Sequence, residues 1–147
     1  MNRLQVVVLG ISVLGAVGIA QAQAPVFNII ETRQAGQDLL AGNFTGIIQG
    51  VRSKAPVKAF GNSAAAMARW MKQFPTTFPE GSDKGRTRAL PTVWSDRAGF
   101  EQAAANFVTA ADKLSELAKV GDTDAFEAQV KTVGEACDAC HNKFRAK

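Results

Sequence analysis

Apolar residues recur along this chain at alternating three- and four-residue steps in four separate stretches, which is the spacing of one face of an α-helix. The first stretch, from about Val26 to Gln49, carries Ile30, Leu40, Phe44 and Ile47 on one stripe. The second, opened by Pro56 near its first turn, aligns Val57, Phe60, Ala64, Met67, Met71 and Phe74. The third follows Pro91, with Phe100, Ala103, Phe107, Leu114 and Leu117 in register. The fourth starts beyond Gly121, where Asp122 or Thr123 can cap it and where Asp124 and Glu127 suit the positive end of the helix dipole. Its stripe is Phe126, Val130, Val133, Cys137, Cys140 and Phe144. Each stripe is too narrow to stabilise a helix alone, so the pattern predicts an all-α fold, an antiparallel four-helix bundle with short connections. Residues 75–91, rich in Pro, Gly and charge, are the exception and read as a long loop, of a kind that is often functional.

Ahead of these stretches, residues 1–22 read as an export signal: Arg3 near the start, an apolar run from Val6 to Ile19, and small residues at Ala20 and Ala22. The apolar run is too short to span a bilayer comfortably. Cleavage after Ala22 fits a small-x-small site, whereas cleavage after Ala24 would leave Pro25 first, a poor substrate for the peptidase. An uncleaved anchor is the other reading, but no stop-transfer charges follow. The expectation is a signal peptide over 1–22, a bundle domain over 23–147 with no membrane span, and a periplasmic location. The formal charge of +4 over the full chain falls to about +3 once Arg3 is removed. The basic residues are spread along the sequence, apart from Lys143, Arg145 and Lys147 at a helix C-terminus, so a nucleic-acid partner is not expected.

The candidate chemistry sits on the fourth stripe. Cys137 and Cys140 are followed at once by His141, the only histidine of the chain, in the order Cys-Asp-Ala-Cys-His. This is the spacing of a covalently attached c-type haem. Two thiols add across the two vinyl groups of the ring, and the neighbouring imidazole then coordinates the iron. On a helix advancing about 100° per residue, all three side chains fall on one face within about one turn. A thioredoxin-like redox pair usually opens a helix after a strand, whereas this motif lies deep in a helical segment. Zinc would need four soft or borderline ligands, and no further cluster is present. Because the stripe that carries the cysteines is the core-facing one, one haem is expected inside the bundle.

A second strong iron ligand is harder to find. No other histidine exists, and Met67 and Met71 lie on the apolar stripe of the second stretch, where packing is the simpler role. The first stretch is more informative, because continuing its stripe puts Arg33 and Gln37 at positions that should be apolar. A buried arginine or glutamine is costly without a partner. Haem propionates would supply one for Arg33, and Gln37, one turn on, would then lie over the distal face of the ring. Rotation of the helix that turns both to solvent is the alternative.

Taken together, the sequence resembles the cytochrome c prime family, exported four-helix bundles with haem attached near the C-terminus. The resemblance rests on Arg33-Gln34, on Pro91 to Asp96 with Phe100, on Gly121-Asp122, and on Val133-Gly134 through Cys137, Cys140, His141, Phe144 and Arg145. It spans essentially the whole chain beyond the leader. The resemblance implies a five-coordinate, high-spin haem with His141 as the metal ligand and with Gln37 closing the distal side. It implies that Arg33 and Gln34 contact the propionates, that Ser82 and Asp83 lie at the haem edge, and that Arg145 stands beside the imidazole. It also implies a homodimer. The departure is Gln37 itself, because the distal residue of high-spin members is more often apolar or aromatic, and an amide can donate a hydrogen bond to a bound diatomic. The expected function is binding of small gases, nitric oxide above all and carbon monoxide, with some electron transfer. The rival is a six-coordinate electron shuttle working with periplasmic redox partners. Catalysis is not expected, since nothing supplies the distal acid-base pair that a peroxidase would need.

Overall fold

Asn28 opens the first helix by accepting hydrogen bonds from the backbone N–H groups of Ile30 and Glu31 at 3.1 and 3.3 Å, which satisfies two of the orphan donors of the first turn. The structure, a computed structural model, describes residues 28–147, so the export signal expected over 1–22 lies outside the described residues. Helix α1 runs Ile29–Arg52, beginning slightly later and ending slightly later than its apolar stripe predicts. Pro56 does not open the second helix directly. It precedes a 3-10 turn, Val57–Phe60, that leads into α2, Gly61–Gln73, and a second 3-10 turn, Phe74–Thr77, closes it.

The third stretch divides in two. A short helix α3, Thr92–Ser95, follows Pro91 and stops at Asp96, whose side chain caps the next helix by accepting from Gly99 N at 3.1 Å. Helix α4 then runs Arg97–Val120 and ends at Gly121, which holds a left-handed conformation at φ 84° that a side chain would resist. Asp122, not Thr123, caps α5, Thr123–Phe144, by accepting from Ala125 N. Among the described residues there is no β-strand, and the four long helices form the expected bundle.

Helix α4 is its spine, packed along both α2 and α5, while α1 leans chiefly on α2. The face that α4 buries is rotated from the one predicted. Ala104, Ala111, Ala118 and Ser115 are buried, while Ala103 and Leu117 are only half-buried. Alanines weigh little in a hydrophobic pattern, yet they occupy the closest helix approach, where Ser115 Oγ donates to Gly61 O at 2.9 Å. Phe74, Phe78, Phe100 and Phe144 stack edge to face with centroids 4.9, 5.0 and 5.3 Å apart and close one end of the core.

Helices α1 and α2 meet through glycines. The ring of Trp70 occupies the space that a side chain at Gly36 would need, and Phe60 does the same at Gly50. Gly42 has nothing within 4 Å of the corresponding position. Gly36→Ala should therefore overpack the α1–α2 contact and lose about 1–3 kcal/mol in denaturant unfolding. Gly42→Ala, an exposed helix-interior glycine, should gain about 0.5–1 kcal/mol. Equal effects of the two substitutions would contradict this packing.

Candidate functional site

Helices α1 and α5 make few direct contacts with each other, because a cavity of about 500 Å³ lies between them. This is within the range of about 300–1,000 Å³ usual for cofactor pockets. Its α5 wall carries Cys137, Cys140, His141 and Phe144, with Arg145 at the rim. Its α1 wall carries Arg33, Gln34, Gln37, Leu40 and Phe44. Met71 and Phe74 contribute from α2, and Arg88 and Ala89 from the loop that precedes α3. Two thiols and one imidazole thus face a single room large enough for a flat cofactor, the donor set that a covalently held haem requires.

Burial pushes the Cys137 thiol up to about 11, helped by Asp138 and Cys140, and burial also raises Cys140. Both sulfurs are free of a disulfide and stay protonated near neutral pH. His141 moves the other way. Its burial, then the positive charge of Arg145, and more weakly that of Arg88, lower its pKa, while Asp138 opposes them. The imidazole is therefore neutral at physiological pH, which is the state that keeps a lone pair for a metal.

Arg33 has partners that the sequence did not reveal. It is 3% exposed. Its Nη1 donates to Thr77 O at 3.1 Å and to Ser82 Oγ at 3.0 Å. Its Nη2 donates to Ser82 O at 2.8 Å and to Thr87 Oγ1 at 2.9 Å. The guanidinium also lies 4.2 Å from the centroid of the Phe78 ring. Burial lowers its pKa, but a guanidinium stays charged in proteins. The loop read as irregular from its composition is thus gathered round one buried cation, and Gln34 Nε2 adds a bond to Arg86 O at 2.8 Å.

Of the residues singled out in the sequence, Cys137, Cys140, His141, Arg33, Gln34, Gln37 and Arg145 share the cavity. Ser82 does not line it but reaches it through Arg33, and Asp83 is exposed in the turn beyond. Gln37 donates from Nε2 to the Met71 sulfur at 3.4 Å.

Sequence reasoning missed the strap beside His141. Ala89 pairs with Arg145 as an isolated β-bridge, Leu90 N donates to Phe144 O, Ala146 N donates to Arg88 O, and Arg88 Nη2 donates to Ala146 O. Thr92 Oγ1 donates to Lys143 O, and Lys143 Nζ meets Asp96 Oδ2 at 2.6 Å. These contacts join segments about fifty residues apart in sequence, so no local period announces them.

Known proteins of one family are similar to this chain over most of its length. The family described as cytochrome C' matches residues 28–145. Cytochrome c' of Rubrivivax gelatinosus is 40% identical over 121 residues, covering 80% of this chain and 94% of that protein. Its crystal structure superposes with a TM-score of 0.72 over the same shares of the two chains. A cytochrome c' structure described as showing an unusual ligand-controlled dimer dissociation is 32% identical, with a TM-score of 0.74 over 81% of this chain and 95% of that one. A nitric oxide complex of a cytochrome c' variant from Alcaligenes xylosoxidans is 30% identical, with a TM-score of 0.73 over 81% of this chain and 94% of that one.

Removing the Arg33 guanidinium leaves two buried carbonyls and two hydroxyls without their donor. Arg33→Met should cost about 3 kcal/mol in denaturant unfolding. It should also speed limited proteolysis within residues 79–88, and unchanged cleavage there would show that Arg33 does not hold the loop.

Proposed function

The chain belongs to the cytochrome c' family, and from that premise we propose that it is an exported, periplasmic haem c protein whose five-coordinate iron binds small neutral gases, nitric oxide and carbon monoxide among them. Haem c supplies an iron centre that takes up diatomic ligands and changes oxidation state. What the chain does is hold that centre with one strong ligand on one side only.

The observation that carries the reading is the asymmetry of the cavity. Its α5 wall offers the neutral imidazole of His141 and the two attachment cysteines, Cys137 and Cys140. Its α1 wall offers Arg33 and Gln34 toward one end and Gln37, Leu40 and Phe44 beyond them, with no imidazole, since His141 is the only one in the chain. The apolar side chains of Leu40, Ala41 and Phe44 beside Gln37 disfavour water and anions at that part of the cavity, which leaves neutral diatomics as the favoured visitors there. Arg33 and Gln34 line the same cavity and would attract the propionates, Arg33 through its buried positive charge. Ser82 supports that role indirectly by fixing the guanidinium, and Asp83 has no contact that brings it to the cavity. Arg145 keeps the proximal side positive. Among the described residues no helix is long and apolar enough to cross a membrane.

Met71 favours a second reading. Met71 lines the cavity, and ligation by its sulfur would make the iron six-coordinate and the protein an electron shuttle for periplasmic redox partners. The absorption spectrum of the dithionite-reduced protein separates the two. A broad, unsplit visible band that shifts on adding carbon monoxide is expected, and sharp split bands that ignore the gas would establish the shuttle.

A homodimer is also part of this proposal. Leu39 is 71% exposed and stands beside Gly42, Asn43 and Gly46 round a shallow groove on the outer face of α1. A second copy covering that face would bury a large apolar side chain against small ones. Sedimentation of the holoprotein should give a dimer that Leu39→Glu dissociates, and a monomeric parent protein would remove this part of the proposal.

A further inference from the structure

Two contacts tie α1 to α2 next to each other. Trp70 seats its ring on Gly36, and the residues that follow each of these, Met71 and Gln37, meet through an N–H···S hydrogen bond of 3.4 Å. The close approach of Trp70 to Gly36 sets α1 against α2 in the register that brings the Met71 sulfur to the Gln37 amide. We propose that Met71 is a positioning residue for the gas site: its sulfur holds the Gln37 amide in one orientation over the cavity, so ligand discrimination by Gln37 depends on a side chain from another helix.

The argument starts from Gln37 itself. It stands on a helix face where its neighbours Leu40 and Arg33 are buried, and it is half-buried there. A glutamine in such a place loses hydration and must be compensated. Among the described residues its side chain makes no other hydrogen bond than the one to Met71. Glutamine is also among the side chains with most rotamer freedom to lose. Left to itself, an amide on a long flexible stem would sample several orientations and present a ligand with donor and acceptor in turn. With one N–H engaged by sulfur, the amide is pinned at its nitrogen end, and its carbonyl oxygen and second N–H keep fixed places.

Met71 is suited to the task because it is itself buried. It is 5% exposed, and the next turn of its chain is locked into the aromatic cluster through Phe74. A thioether is a weak acceptor, so it orients the amide without competing strongly for the N–H that remains. A stronger acceptor at the same place would draw the amide away from the cavity.

This inference rests on the reading that Gln37 faces the sixth site, and one set of proteins tests both. The reduced, carbon monoxide-bound holoprotein is compared with Gln37→Leu, Met71→Leu and the double variant by the infrared stretching band and the off-rate of the gas. Leucine is close to methionine in volume, the core exchange that is tolerated best. Gln37→Leu should shift the band and change the off-rate about fivefold, the worth of one hydrogen bond. Met71→Leu should split or broaden the band as the amide loses its anchor, and should do nothing further once Gln37 is already leucine. A Met71→Leu band superimposable on that of the parent, while Gln37→Leu shifts it, would overturn the proposal and leave the gas-site reading standing. A Met71→Leu effect that persists undiminished in the Gln37→Leu background would also overturn it, since Met71 would then act by packing. No effect of Gln37→Leu would remove Gln37 from the sixth site and both readings with it.

Discussion

The structure depends on α1 and α5 being kept apart. Helix α4 packs along α2 and α5, and α1 is held by α2, so the two helices that face each other across the cavity are each supported from behind rather than by one another. A bundle with four equal interfaces would close this space with side chains, as the burial of apolar surface demands. Here the last third of α5 places Cys137, Cys140 and His141 where large apolar residues would otherwise sit, so the chain leaves to its cofactor the completion of its core.

Keeping that space open requires walls that do not collapse, and the chain provides two devices of different kinds. One is the buried Arg33, which draws Thr77, Ser82 and Thr87 toward a single guanidinium and converts a Gly- and charge-rich loop into a fixed wall. No carboxylate takes part, so the cation stays available as a field directed at the cavity. The other is the strap between residues 88–92 and 143–146, which fastens the end of α5 beside His141. The strap holds the end of α5 in place, while the burial of His141 and the positive charges of Arg145 and Arg88 keep its imidazole neutral.

The two walls of the cavity differ in how they are built. The imidazole side is built from residues within about one turn of a single helix. The opposite side is assembled across α1 and α2, where Gly36 and Trp70 set the register in which Gln37 meets Met71. A wall formed by two helices can be altered by a substitution on either one, whereas the Cys137, Cys140 and His141 wall belongs to α5 alone.

Much of this was legible in the chain, and the reason is physical. Helix periodicity is local, so four apolar stripes foretold four long helices, and the Cys137, Cys140 and His141 triplet foretold its chemistry because all three residues lie within about one turn of one helix. Arg33 and Gln37 were visible as polar intruders on an apolar stripe, which marked them as needing partners without saying which. The partners came from elsewhere: carbonyls of a loop about fifty residues on for Arg33, and a methionine sulfur on α2 for Gln37. The rotation of the buried face of α4 toward its alanines, the break at Asp96 and the strap at the C-terminus were equally beyond local pattern. Sequence alone determined the four long helices and the cofactor they take, because periodicity and motif spacing act within a few residues. Tertiary structure decided which polar groups meet and how the cavity is walled, because those contacts exist only once distant helices are packed in one register.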